Sequence, residues 1–369
     1  AASVANFTLM CLRLTHFKLG DTLYRLLLLS AGRQEVQGNR TFSTPTLRYL
    51  AGFFDGDGHV GSASDSRGAF LEVSQSFDKS AILMRFRETF GGSIKLSAQG
   101  LGLRKPMLAW CIHGTAARSA AQCLAVHSIG KGKQLDLAGA WPTEKSRRAD
   151  FKAQLHKLKQ HDSALVRRCS WEYCAGLFDA DGHIRQNLDT TSFDLHLHQK
   201  FDTILQCVQS FLGSSLGLDA SLRKSDKQQI FSLSIFGRSN CRQVLGAMLH
   251  AGLLGKADQA RLAIGLTREN ATQVREQLGK MTGNQRFGKR LDEAGLQRAQ
   301  RIQALQKQAA NWKRKGKPHD AEAILVQVEV LKSQHQLLNA RHENWQLLWY
   351  YEMIKGHSYL AGYSMVINQ

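Results

Sequence analysis

The chain has 369 residues, 43% of them hydrophobic, with 49 Lys and Arg against 30 Asp and Glu, a formal net charge of +19. That length accommodates two ordinary domains or one duplicated domain with additions, and no apolar run reaches the roughly 18 residues that a membrane-spanning helix needs. The charge asks for a polyanionic partner, nucleic acid first and an acidic membrane surface second. The seven cysteines are scattered and include no CxxC pair, so neither a disulfide framework nor a structural zinc is expected, and a reducing compartment fits best.

Taken in chain order, residues 1–46 form an N-terminal extension. Its first twenty residues contain no acid, a composition compatible with an organellar targeting region, so a mitochondrial or chloroplast location is expected. From residue 47 an apolar segment, Leu47, Leu50, Ala51, Gly52 and Phe54, reads as a helix that ends at Asp57-Gly58, with Gly58 expected as a left-handed C-terminal cap. Alternation follows, with Leu71, Val73 and Phe77 on one face of a strand and Glu72, Ser74 and Ser76 on the other. "DKSAILMRFRETF" reads as a helix, "MLAWCIHG" as a strand, and "SAAQCLAVH" as a helix running into "SIGKGKQLDLA". A basic, polar helical linker occupies 146–168. The same order then recurs over 169–268, with Phe193, Leu195 and Leu197 opposed to Asp194, His196 and His198, and with "FSLSIFG" as a further strand. Residues 269–369 are rich in Gln, Lys, Arg and Ala. Ile324, Val328, Leu331, His335 and Leu338 recur at helical spacing, with Trp345 and Trp349 continuing the pattern, and "KRKGKPHD" reads as the turn of a long helical hairpin. The fold class is α+β with an antiparallel sheet, followed by a C-terminal helical extension.

The middle of the chain is a tandem duplication. "LAGFFDGDG" ending at Gly58 returns as "CAGLFDADG" ending at Gly182, and a spacing of 124 residues separates Asp57 from Asp181 and Gln75 from Gln199. Lys131 and Lys256 follow at 125. These two openings resemble the signature of the LAGLIDADG homing endonucleases, with Cys174 in place of a leucine, and the likeness extends over roughly residues 47–266. It implies a duplicated αββαββα fold with pseudo-two-fold symmetry and an antiparallel β saddle. It implies further that Asp57 and Asp181 together bind a divalent cation, Mg²⁺ or another, that each centre cuts one DNA strand, and that Asp55 and Asp179 cap or orient helix ends. On the same resemblance Gln75 and Gln199 hold the nucleophilic water, while Lys131 and Lys256 stand beside the scissile phosphate.

The residues agree with that reading on physical grounds. Small side chains at Ala51, Gly52, Ala175 and Gly176 let two helices approach at their backbones, which brings Asp57 and Asp181 together. Adjacent carboxylates repel unless a cation lies between them, and such oxygen ligands suit Mg²⁺. A calcium loop needs glycine at its sixth position, whereas Gly58 is fourth. His59 and His183 read as partly exposed structural histidines, and Gln134 and Gln259 as either helix surface or part of the lysine stations. A polar sheet face can lie in the major groove. The candidate DNA contacts are Glu72, Ser74 and Ser76, then His196, His198 and Lys200, with Arg67, Arg223 and Lys224 at hairpin tips. Two unlike halves in one chain imply a monomer on an asymmetric double-stranded target. The expected function is a site-specific, metal-dependent DNA endonuclease of intron-homing type. The alternatives are an RNA maturase that assists splicing, and a non-catalytic subunit of an organellar ribosome or other ribonucleoprotein, the last motivated by the basic arms outside the repeats.

Overall fold

The computed structural model describes residues 16–28, 43–62, 68–98, 106–186, 192–225, 230–281, 293–335 and 337–338. The chain forms two compact units, one from residues 1–26, 96–107 and 272–369 and one from residues 27–95 and 108–271. Arg67 and the Trp345 and Trp349 positions lie outside the described residues.

The first unit opens with an antiparallel hairpin of β1 (His16–Leu19) and β2 (Thr22–Arg25), in which Phe17 stacks on Tyr24 with ring centroids 5.2 Å apart. The second unit holds the duplication. Its first copy runs α1 (Thr44–Asp57), β3 (Gly58–Ser62), β4 (Ala69–Ser76), α2 (Ser80–Phe90), β5 (Ser93–Ala98), β6 (Met107–His113), α3 (Gly114–Ala125) and α4 (Gly132–Gly139). Helix α5 (Arg148–Gln160) lies in the polar stretch between the copies. The second copy runs α6 (Trp171–Asp181), β7 (Gly182–Gln186), β8 (Phe193–Gln199), α7 (Thr203–Leu216), β9 (Ser221–Lys224), β10 (Phe231–Ile235), α8 (Arg238–His250) and α9 (Ala257–Ile264). The sheets are four-stranded, with orders β3-β4-β6-β5 and β7-β8-β10-β9, the same topology twice. After them, in the first unit from Thr272 on, come α10 (Ala271–Met281) and α11 (Glu293–Arg314), which turns at 315–317 into a second helix over 318–335. Pro318 opens that second helix, where its missing N–H is not needed. Of the residues at helical spacing, Val328 and His335 are buried, as is Ile302 of α11; Ile324 and Leu331 are half-buried, and Leu338 is exposed at the end of the described helix.

Each copy is therefore αββαββα with one helix more than the sequence suggests. The run from Gly114 to Gly139 breaks over 126–131, and α4 begins anew after Lys131. The physical reason is a carboxylate: Asp55 accepts from the backbone amides of Ile129, Gly130 and Lys131, so those N–H groups are unavailable to a continuous helix. The Gly58 cap also differs from expectation. Its φ of −75° is extended, not left-handed, and the residue passes straight into β3. Glycine is needed there for space, since a Cβ would lie 2.4 Å from the Phe54 ring.

The two cores are packed differently. Phe53, Phe54, Phe86, Phe90 and Trp110 form an aromatic cluster in the first copy, with Phe86 and Trp110 centroids 4.9 Å apart. In the second copy Leu205, Val208, Leu212, Leu233 and Met248 are buried.

Candidate active site

The two copies meet along α1 and α6, and glycine makes the meeting possible. A Cβ on Gly52 would lie 2.1 Å from the Tyr173 carbonyl oxygen, and one on Gly176 would lie 2.0 Å from that of Tyr49. No side chain of any size fits between these backbones. Both helices end at the same place, each with its last residue an aspartate, Asp57 and Asp181.

The two acids are held alike. Gln75 Nε2 donates to Asp57 Oδ2 at 2.5 Å, and Gln199 Nε2 donates to Asp181 Oδ2 at 2.7 Å. Burial first, and then the charge of Asp181, push the Asp57 carboxyl up to about 6 from the usual 3.8, against the opposing pull of Lys256, Lys131 and Gln75. Burial likewise raises Asp181. Two acids forced into one desolvated place, each with one oxygen already hydrogen-bonded, form a donor set that a hard cation would relieve. Among the described residues no cluster of three or more His, Cys, Asp or Glu offers a complete cage.

Lys131 and Lys256 stand at this site in a particular way. Lys131 Nζ donates to the carbonyls of Phe54, Gly56 and Gly58 at 2.9, 2.8 and 2.6 Å. Lys256 Nζ donates to those of Phe178, Asp179 and Ala180 at 2.9, 2.5 and 3.2 Å. An ammonium has three N–H groups, so both lysines are fully occupied as C-terminal caps of α1 and α6, where a cation also complements the helix dipole. Burial lowers both pKa values, while the neighbouring aspartates pull them back up. Their charge is held in a fixed place at the ends of α1 and α6. Lys131→Met is accordingly expected to destabilise the protein by about 3 kcal/mol, because three carbonyls lose their donor and three aspartates lose a neighbouring positive charge. A urea melt beside the wild type checks this, since a lysine that touched only phosphate would leave stability unchanged.

Asp55 and Asp179 tie these lysines in place. Asp179 accepts from the amides of Leu254, Gly255 and Lys256 at 2.7, 2.9 and 2.7 Å, as Asp55 does from residues 129–131. Each also takes a phenol from the opposite copy: Tyr173 to Asp55 at 2.6 Å and Tyr49 to Asp179 at 2.7 Å. Burial and the adjacent carboxylate push both phenols well above the usual range, so they remain donors. The sequence reading missed these tyrosines, although their own 124-residue spacing marks them as repeat positions. It also missed Lys159 of α5, whose Nζ lies 2.8 Å from His59 Nε2, directly after the first motif. Nothing in the sequence pattern marks that linker residue. Gln134 is buried on Ser163 at 2.7 Å and is not helix surface.

The proposed DNA-contact residues divide. Glu72 and Ser74 lie on the outward face of β4, but Glu72 is engaged in the sheet, 3.6 Å from Lys95 and accepting from Cys111 Sγ at 2.9 Å. Ser76 sits at the strand's end. On the second sheet the register sets His183 beside His196, His196 beside Ser234, and His198 beside Ser232 and thence Arg223, a continuous polar face. His196 is buried within it, 2.8 Å from Ser234 Oγ and stacked on His198, with its Nε2 unpartnered. Asp194, the acid of that face, is paired with Arg185 at 2.9 Å. Lys200 falls beyond the end of β8 and packs over Phe201. Arg223 and Lys224 are exposed at the end of β9, with Lys224 over the Phe231 ring.

Residues 170–246 match the family model of the LAGLIDADG-like domain. Similar solved structures include the I-SmaMI LAGLIDADG homing endonuclease bound to cleaved DNA, at 16% identity and a TM-score of 0.46, over 66% of this chain and 99% of that one. The LAGLIDADG homing endonuclease I-GzeII in complex with its DNA target shows 12% identity and a TM-score of 0.46, over 64% and 96%. The meganuclease I-AabMI bound to uncleaved DNA shows 14% identity and a TM-score of 0.47, over 64% and 99%. No curated protein sequence matches the chain.

Proposed function

From a chain whose second repeat is a LAGLIDADG-like domain, we propose that the protein is a site-specific, double-strand DNA endonuclease of intron-homing type. The observation that carries the reading is the pair Asp57 and Asp181, brought together at the ends of α1 and α6 with matched glutamines and with carboxyl groups raised by burial. A structural turn needs no such arrangement. It leaves the protein with an uncomfortable charge that a cation and a phosphodiester would neutralise.

Asp57 and Asp181 would hold a divalent ion, Mg²⁺ by the chemistry of the donor set. When bound, such an ion supplies Lewis acidity at the phosphoryl oxygen and lowers the pKa of water. The protein's own part is positioning. Gln75 and Gln199 fix one oxygen of each aspartate and leave the amide oxygen to orient a water. Lys131 and Lys256, immobile on their carbonyls, set a positive field against the charge that develops on the phosphate. The polar sheet faces would lie along the groove, and their acids, Glu72 and Asp194, are already compensated within the sheet. Because the two faces carry different side chains, the half-sites they read differ.

The test is incubation with Mg²⁺ and a supercoiled plasmid carrying the intron-free insertion locus. Linear product from the wild type and none from an Asp57→Asn, Asp181→Asn double variant is the expected result. Absence of any cleavage across a panel of divalent ions would refute the reading. Binding to the same DNA is expected to weaken steeply as salt rises from about 50 to 200 mM, with a slope that falls by about 2 in the Arg223→Ala, Lys224→Ala variant. Fluorescence anisotropy titrations at several salt concentrations measure it.

A further inference from the structure

Tyr49 and Tyr173 hold equivalent places on α1 and α6, six residues before Asp55 and Asp179. Within its own copy Tyr49 packs its ring under the Arg85 guanidinium, and the Tyr173 amide donates to Ser170 Oγ, but the phenol hydrogen bonds leave the copy. Each phenol crosses the glycine seam to the opposite acid. From there the contacts run on without a gap. Tyr173 donates to Asp55, Asp55 collects the amides of 129–131, and the lysine that ends this turn holds the carbonyls of residues 54, 56 and 58 around Asp57. In the other direction Tyr49 donates to Asp179, Asp179 collects the amides of 254–256, and Lys256 holds the carbonyls of 178–180 beside Asp181.

We propose that Tyr49 and Tyr173 are positioning residues wired crosswise, each ordering the cutting centre of the copy to which it does not belong. This rests on the nuclease reading above. A carboxylate offers about four acceptor sites, and its aim is decided by the donors around it. If a phenol is lost, the acid swings toward its remaining donors and carries the lysine turn with it. The two acids are not equally protected. Asp55 also accepts from Ser128 Oγ at 2.5 Å, whereas the matching position in the second copy is Leu253, so Asp179 without Tyr49 keeps only its three amides. The centre of the second copy, served by Tyr49, is the more exposed to disruption.

The experiment is single-turnover cleavage of the supercoiled locus plasmid in Mg²⁺, which separates first-strand cutting (nicked circles) from second-strand cutting (linear product). Sequencing the nicked circles gives the strand. Tyr49→Phe keeps the ring and loses only the hydroxyl. It is expected to accumulate nicked circles, with one strand cut about tenfold more slowly than in the wild type. Tyr173→Phe is expected to slow the opposite strand, by less. Adding Leu253→Ser to Tyr49→Phe returns a hydroxyl donor to Asp179 and should restore part of the lost strand rate, which a packing role for the tyrosine would not predict. If the wild type linearises the plasmid but both variants slow both strands alike, or slow the same strand, the crosswise wiring is wrong while the nuclease reading stands. A Tyr→Phe variant that no longer melts cooperatively would also overturn it in favour of a plain structural need. A wild type that never cuts removes both.

Discussion

Asp57→Asn is expected to abolish cleavage and, in metal-free buffer, to make the protein more stable. Loss of one of the two carboxylates removes half of the charge that would hold the cation, so a fall in rate of a thousandfold or more is expected, several kcal/mol of transition-state stabilisation. The stability change has the opposite sign. The folded Asp57 carboxyl sits at about 6 against an ordinary 3.8, so the folded chain binds that proton more tightly than the unfolded chain does. Its stabilising contribution is complete below about pH 4 and is lost as pH rises through about 6. At neutral pH the penalty is at most about 3 kcal/mol. Asparagine imitates the protonated acid at every pH. The difference in melting temperature between Asp57→Asn and wild type should therefore be near zero at pH 4 and grow to several degrees by pH 7.5. Mg²⁺ added to the wild type should close the gap at pH 7.5 and do little at pH 4. Thermal melts of both proteins over that pH range, with and without the ion, measure it. A variant that is less stable than wild type at neutral pH would mean that the acids are not held in conflict.

Gly52→Ala is expected to cost on the order of 3–5 kcal/mol, although intrinsic propensity argues the other way. Alanine in a helix interior is about 1 kcal/mol better than glycine. Against that gain stand a Tyr173 carbonyl oxygen 2.1 Å from the new carbon, its carbonyl carbon at 2.9 Å and the Leu177 amide nitrogen at 3.1 Å. All three are backbone atoms of a packed helix, which cannot rotate away, so α1 and α6 must separate. Separation pulls Asp57 from Asp181 and stretches both phenol bonds, so cleavage should fall with stability. Gly246→Ala is the control. That glycine is also helical, in α8, but nothing lies within 4 Å of its would-be Cβ, and the change should stabilise by up to about 1 kcal/mol. Urea denaturation of the three proteins distinguishes the cases. Equal midpoints for wild type and Gly52→Ala would contradict the tight seam.

Much of this site is legible in the sequence because duplication prints it twice. The acids, glutamines and lysines stand out by their shared spacing, and alternation in "LEVSQS" and "FDLHLHQ" gives the strands and their buried faces. What alternation cannot give is the destination of a side chain across 70 or more residues. The same Lys131 could serve phosphate or a helix end, and only the distances to residues 54, 56 and 58 show which carbonyls it holds. Helix α4 is hidden for a related reason. Its start is imposed by Asp55 from far along the chain, while "SIGKGKQ" has no local cap. Lys159 lies in a polar linker outside the two motifs and is invisible until the fold sets it against His59. His196 reads as an exposed groove residue from its place in the alternation, yet its neighbours Ser234, His198 and Phe236 bury it.

The exchange of phenols and the bare glycine seam bear on how such a chain could have arisen. A single copy by itself would be a half-molecule whose tyrosine, acid and glycine all lack partners, so it could be completed only by a second, identical subunit. With both copies in one chain, joined through the segment that holds α5, the halves have no need to be identical. Trp110 in one core against Leu233 in the other, and Ser128 against Leu253 at the lysine turns, record how far the halves have since drifted while the contacts between them were kept.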